Sequence, residues 1–277
     1  MAFKVILINA EDEPSLPGLL AVAQPIAARY HSQVVGLSIL PSSLTLPSGV
    51  PGTHDAIKFD SHRNSACAEA ERAQQVFTRW VSEKQLSGAW RLDDDDGRDR
   101  IDALVARCRL VDLVVCSTAE RGQRPFHTAE RLVVEAGRPV ILVPRASQPA
   151  ECSRRVLIAW NGSREAVRAV FDALPLLQAA RHVKVLQVST SDRARIAGLD
   201  TADVCSMLYR HGVRAASESL SLPRGTAGAA LLSAARAENA DLLVMGGYGH
   251  WRFRELVLGG ATHHVLRHTS IPVLMSH

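Results

Sequence analysis

The chain has 277 residues, 47% of them hydrophobic and 22% charged, with a formal net charge of +4. That is the composition of a soluble globular protein with room for one large or two ordinary domains. The basic residues are scattered, which gives nucleic-acid binding no support but suits an anionic small ligand. No apolar run approaches the roughly 20 residues of a membrane span, and Met1-Ala2-Phe3-Lys4-Val5-Ile6 lacks the features of a signal peptide. Aromatic residues make up only 5%, so the core must be built from Val, Leu, Ile and Ala, as in helices packed on a parallel sheet. The five cysteines (Cys67, Cys108, Cys116, Cys152, Cys205) are odd in number and form no C-x2-C pair, which predicts a reduced, cytoplasmic protein. Cys116 lies in an apolar strand and reads as a small core residue.

In chain order, Phe3 to Ala10 is a short apolar run that reads as a buried strand. Ser15 to Tyr30 has helical spacing interrupted by Pro25, and Gln33 to Leu40 is a second strand. Pro41 to Gly52 is rich in Pro, Ser and Gly and predicts an exposed loop. A long helix from Ala56 to Gln85 and a weak strand at Ala89 to Leu92 follow. The run Asp93-Asp94-Asp95-Asp96 predicts a solvated turn whose last carboxylates favour the N-terminus of a helix beginning near Arg98, with a metal site as the less favoured alternative. Val111 to Cys116 and Arg138 to Val143 are the fourth and fifth strands, and Ala146 to Ala150 reads as a linker.

The second half repeats this order. Arg155 to Trp160 corresponds to the first strand, and Arg164 to Ala180 to the first helix. Even the proline recurs: Pro175 lies 19 residues after Val156, and Pro25 lies 20 after Val5. An internal proline costs a helix a hydrogen bond, so its appearance in both copies is informative. Strands at Val183 to Val188 and Val213 to Glu218 flank a helix from Thr201 to His211, and an Ala-rich helix from Thr226 to Glu238 leads to the strand Asp241 to Met245. A last helix, Glu255 to Arg267, closes into the strand Pro272 to Met275. Asp112-Leu113-Val114-Val115-Cys116 aligns with Asp241-Leu242-Leu243-Val244-Met245, so the chain is two copies of one α/β unit. Right-handed crossovers then give parallel sheets, with a ligand expected beyond the carboxyl ends of the strands at the topological switch point.

The most specific stretch follows Met245. Gly246, Gly249 and Gly259 stand in the spacing G-x2-G-x9-G, with Gly260, Ala261 and Thr262 directly after. A strand, a glycine turn and a helix in that order present backbone N–H groups to a phosphate. The alternative is a glycine turn that lets the last helix pack close to the sheet. This spacing resembles the nucleotide loop of the universal stress protein family, G-x2-G-x9-G-[ST], and a tandem member resembles nearly the whole chain. Gly260 departs from that pattern by replacing the hydroxyl residue, although Thr262 carries a hydroxyl nearby.

The resemblance implies two five-stranded doubly wound sheets of order 3-2-1-4-5, in domains spanning residues 1–146 and 153–277. It also implies an internal pseudo-dimer, because the family commonly dimerises, and leaves further homodimerisation open. Carried over singly, the family positions place Ala159, Asn161, Val188 and Met245 around adenine and ribose. Gly246, Gly249, Gly259, Gly260, Ala261 and Thr262 fall at the phosphates. The family usually has aspartate where Asn161 stands, and Asn161-Gly162-Ser163 is also a turn and helix-cap signal.

The expected cofactor is ATP, with any divalent ion arriving as Mg²⁺ on the nucleotide. The first copy lacks the glycine spacing after Cys116, its loop region is four residues shorter, and Glu120 would repel phosphate if it faced the pocket, so the copy is expected to bind no nucleotide in the family's manner. Arg252 and Arg254 could neutralise phosphates, with surface arginines as the slightly favoured alternative. His264 and His268 have zinc-compatible spacing but no evident third ligand, which favours a solvated helix face. No nucleophile–base pair and no G-x4-G-K-[ST] lysine is present, so any ATP hydrolysis is expected to be slow. The implied function is a nucleotide-dependent module acting on an unspecified protein partner in stress adaptation. The alternatives are a nucleotide-free interaction scaffold and, least favoured, an enzyme of a related fold.

Overall fold

The computed structural model describes residues 3–41, 53–95, 99–118, 127–145, 147, 152–189, 200–222, 225–248 and 260–277. In the first half, strands β1 (Val5–Asn9), β2 (Gln33–Leu40), β3 (Ser87–Asp94), β4 (Leu113–Ser117) and β5 (Val140–Val143) alternate with helices α1 (Leu16–Tyr30), α2 (Thr53–Glu83), α3 (Arg100–Cys108) and α4 (His127–Glu135). In the second half, β6 (Arg155–Trp160), β7 (His182–Ser189), β8 (Ala215–Ser221), β9 (Leu242–Gly246) and β10 (Val273–Ser276) alternate with α5 (Arg164–Ala179), α6 (Thr201–Arg210), α7 (Ala227–Ala237) and α8 (Gly260–His268).

The ten strands of the described residues form one sheet of order β3-β2-β1-β4-β5-β10-β9-β6-β7-β8. Each half therefore has the expected order 3-2-1-4-5, and every pair within a half is parallel. The halves meet through their fifth strands, which pair antiparallel with Val273 opposite Leu142 and Met275 opposite Val140. These strands are buried throughout, because the sheet continues past them on both sides and helices cover both faces. Two like edges facing each other by a pseudo-twofold must pair antiparallel, and among the described residues the join leaves β3 and β8 as the outer edges.

The core has two layers. Residues of α1, α2, α5 and α6 pack on one face of the sheet, and residues of α3, α4, α7 and α8 on the other. Alternate strand residues supply the two layers, as the period of two requires: Ile6 and Ile8 face the first set of helices, and Leu7 the second. Asp112 accepts from the N–H groups of Lys4 and Val5 at 2.8 and 2.9 Å, and Asp241 accepts from those of Arg154 and Arg155 at 3.0 and 3.1 Å. One carboxylate in each copy thus anchors the start of the first strand.

Strand register refines the repeat. Ile6 pairs with Leu113, and Val156 with Leu242, so Val156 corresponds to Ile6 rather than to Val5. Pro25 and Pro175 then lie the same 19 residues along. Both prolines are inside continuous helices. The halves touch there as well, since the Tyr30 hydroxyl donates to the Pro175 carbonyl at 2.6 Å.

Asp93 and Asp94 of the aspartate run lie in a strand, not in a turn. Asp93 and Asp94 end β3 and pair with Arg107 at 2.6 Å and Arg63 at 2.9 Å, and Asp95 is buried. The cap of α3 is Asp99, whose carboxylate accepts from the Ile101 N–H at 2.8 Å. Strand β3 runs longer than its sequence suggests because it pairs with β2 over eight positions, which overrides the poor strand propensity of Asp. Asp96, the predicted loop at 42–52 and most of the predicted linker lie outside the described residues, as does the start of the last helix before Gly260.

Candidate functional site

The second half reverses strand direction of growth at β6, whose neighbours are β7 and β9. Helix α5 leaves β6 on one face, while α7 enters β9 on the other. Diverging crossovers open a crevice at the carboxyl ends of these two strands. Ala159 and Met245 stand there in register. Leu186 is the β7 partner of Ala159, and Val188 follows two residues on. Ala159, Val188 and Met245 therefore share the face covered by α7 and α8, with Met245 buried and the other two half-buried. The structure brings these three predicted residues onto one surface. Tyr248 packs beside them, with a left-handed backbone at φ 56° that is costly for a residue with a Cβ.

Gly246 has the opposite parity and faces α5. A methyl group placed on it would lie 2.5 Å from the Ala166 nitrogen, 2.6 Å from the Glu165 carbonyl carbon and 2.9 Å from the Glu165 Cβ. The first turn of α5 rests directly on this glycine. Gly247 is a second close approach: its added Cβ would meet Val133 of the first half at 2.6 Å. The Gly247 N–H donates to the Ser276 carbonyl, and its own carbonyl lies 3.0 Å from His277 Nδ1. Packing therefore accounts for both glycines without a ligand. Gly260 is exposed with open space around its Cα, Ala261 is half-buried, and Thr262 is buried at 6% exposure. Gly249 and Gly259 lie outside the described residues, as do Arg252, Arg254 and His250.

Asn161 follows β6. Its Oδ1 accepts from the Ser163 N–H at 3.0 Å, and Ser163 Oγ in turn accepts from the Ala166 N–H at 3.2 Å, capping α5. Gly162, between them, has φ 73°. The turn-and-cap reading of Asn161-Gly162-Ser163 is thus present, and the exposed Asn161 amide nitrogen has no part in it.

Two residues here carried no signal in the linear pattern. Glu165 is 5% exposed, next to Gly246, and accepts from Arg164 Nε at 2.8 Å. Burial pushes its carboxyl up, but the helix-start N–H, Arg164 and Ser163 outweigh burial and hold it below the usual glutamate range. Trp160, the last residue of β6, is buried with no hydrogen-bond partner for its indole N–H among the described residues. A glutamate in the first turn after a Ser cap is a common helix-start pattern, and only the tertiary fold reveals that this one is buried.

His264 and His268 stack with ring centroids 4.4 Å apart, and His268 Nδ1 lies 2.9 Å from the His264 carbonyl. Burial lowers the His264 pKa, and the neighbouring His268 and His263 lower it further. No cluster of three metal-ligating residues occurs among the described residues.

The matching end of the first half is built differently. Ser117 occupies the place of Gly246, and its hydroxyl donates to Ser15 Oγ at 3.0 Å; Ser15 in turn donates to Asp12. Glu11 pairs with Arg100 at 2.9 Å, Glu13 with Arg72 at 3.2 Å, and Asp12 with Arg145 at 3.4 Å. Cys116 is buried as expected, and it also receives the Asn9 amide at 3.6 Å. Glu120 and the surrounding turn lie outside the described residues.

With this geometry in place, comparison with known proteins settles the kind of domain. Residues 153–277 match the family model described as Universal stress protein family. The second half of the chain is a universal stress protein domain. The curated universal stress protein Slr1230 of Synechocystis sp. is 32% identical over 148 residues, 52% of this chain. The chain spans about half the length of that relative, 49%. Among solved structures, a universal stress protein from Archaeoglobus fulgidus DSM 4304 superposes with a TM-score of 0.71 at 17% identity, covering 100% of this chain and 99% of that one. The functionally unknown protein PA1789 from Pseudomonas aeruginosa PAO1 gives 0.56, also at 17% identity, over 99% and 92%. These two likenesses concern the fold, and they extend it over both halves. No helix among the described residues is long and apolar enough to cross a membrane.

Proposed function

We propose that the universal stress protein domain binds one adenine nucleotide, ATP, and that the whole chain is a cytoplasmic nucleotide-dependent regulatory module in stress adaptation. The observation that carries this reading is the shared face of Ala159, Val188 and Met245 at the β6–β9 switch point. It is a small-residue and aliphatic surface suited to a purine ring, and the G-x2-G-x9-G stretch leaves from its edge. Asn161 stands at the rim of that face with its amide nitrogen available to a ribose hydroxyl. The phosphates fall to Gly249, Gly259 and the backbone at Gly260 to Thr262, with any Mg²⁺ carried on the nucleotide. Hydrolysis is slow, because the sequence supplies no positioned base and no phosphate-binding lysine of the Walker kind.

In this reading the first half is a fixed partner without a nucleotide. The ion pairs of Glu11, Asp12 and Glu13 support that, since they put carboxylates and their arginine partners where the second half has Asn161, Gly162 and Ser163.

A second reading, a nucleotide-free scaffold, draws on Gly246. Packing against Glu165 and Ala166 explains this glycine, and the buried Glu165 carboxylate puts negative charge beside the proposed site. The deciding experiment strips the purified protein of nucleotide and titrates it with Mg-ATP by calorimetry, beside a Gly249→Val variant shown to be folded. One ATP per chain, lost in the variant, supports the nucleotide site. No heat from the folded wild type establishes the scaffold.

A further inference from the structure

The amino-terminal ends of β6, β7 and β8, at the other end of the strands from the proposed nucleotide site, carry a row of basic side chains. Arg155 stands in register with His182, and Val183 with Ala215, so Arg214 lies beside His182 on its other flank. Residues of one row in a parallel sheet point to the same face on strands about 4.8 Å apart. Arg155, His182 and Arg214 therefore project together, and Lys184, two residues after His182, projects with them. With the exposed Arg181 and with Glu238 they line a cavity of about 450 Å³.

The acid in this cavity is already engaged. Lys184 Nζ lies 2.7 Å from Glu238 and 2.5 Å from Glu218, and Arg155 Nε donates to the Glu238 carbonyl at 2.7 Å. Arg181 and Arg214 have no ion-pair partner among the described residues.

The chain contains its own control. The corresponding row of the first half, at the same strand ends, is Val5, Gln33 and Ser87, all uncharged. The fold closes there without a basic row, so the row in the second half answers to something other than the fold. Planar guanidinium groups offer paired donors matched to phosphate oxygens, and two unengaged ones beside a histidine and a further arginine supply charge for more than one phosphate.

We propose that this cavity, at the amino-terminal ends of the strands, is an anion site separate from the nucleotide site at their carboxyl ends, taking a compact group of two or more linked phosphates. It does not depend on the nucleotide reading. The test titrates the full chain with pyrophosphate in 150 mM salt, about physiological strength and enough to suppress diffuse attraction. Wild type, an Arg181→Ala/Arg214→Ala variant and Gly249→Val are compared, with fold checked by circular dichroism. The expected result is one saturable site weakened at least tenfold in the double-arginine variant and unchanged in Gly249→Val. Absence of binding to wild type, equal affinity in the double variant, or loss in Gly249→Val would each overturn the proposal. Retained ATP binding by the double-arginine variant separates this site from the nucleotide site.

Discussion

Ser117 Oγ donates to Ser15 Oγ at 3.0 Å in the first half, and the same place in the second half holds Gly246 against the backbone of Glu165. One copy closes strand four on the first helix with a hydroxyl pair, the other by omitting a side chain. The Gly246 position has no room: a Cβ there falls 2.5 Å from the Ala166 nitrogen. Gly246→Ala is expected to destabilise the protein by about 1–3 kcal/mol through overpacking against α5. Urea unfolding reads this as a lower midpoint at unchanged slope. An unaltered midpoint would show that α5 shifts freely.

The Tyr30 hydroxyl links α1 to the carbonyl of Pro175 in α5 at 2.6 Å. Tyr30→Phe keeps the ring, and with it the edge contact to Phe3 at 5.9 Å, but removes the donor. A neutral hydrogen bond of this kind contributes about 0.5–1.5 kcal/mol, which is the expected loss on chemical denaturation. No change would mean that water replaces the tyrosine hydroxyl.

Acid should weaken the first half through Glu135. Arg131 holds this carboxylate by two hydrogen bonds of 2.8 Å, which places its pKa below the usual glutamate range in the folded state. A carboxyl with a depressed folded pKa contributes stability above its unfolded pKa, and that contribution is lost as pH falls through the folded value. The wild type should therefore lose stability faster than Glu135→Gln below the ordinary glutamate pKa of about 4.3. Denaturation midpoints of both proteins at pH 7 and pH 3 check this, with the gap between them closing at pH 3. A gap that stays constant would show that the ion pair contributes no pH dependence.

Ala159 is half-buried on the face it shares with Val188 and Met245. Under the proposed function, Ala159→Phe fills the purine surface and lowers ATP affinity at least tenfold, about 1.4 kcal/mol. Calorimetric titration of the folded variant reads the change. Undiminished affinity would move adenine off this face.

Much of the architecture was legible in the chain because two local signals agreed. Buried parallel strands are continuous apolar runs such as Val140-Ile141-Leu142-Val143, and the helices between them carry their own caps at Ser163, Asp200 and Thr226. Repetition of the aspartate before strand four and of the helix proline then showed two copies of one unit. The boundaries failed where pairing overrode propensity, as at Asp93 and Asp94, which the neighbouring strand β2 holds in β3.

The tertiary structure alone decided three matters. The join of β5 to β10 is a contact between two apolar edges, and nothing in either strand names its partner. The role of Gly246 depends on which face it turns to α5, which follows from strand parity and register. The basic row at Arg155, His182 and Arg214 is scattered over 60 residues of sequence and becomes one surface only when three strands align. Sequence fixes short-range geometry through backbone sterics and hydrophobic period, and so it determined the elements and their kind. Which distant side chains meet depends on pairing between strands far apart in the chain, and that is what folding in three dimensions supplied.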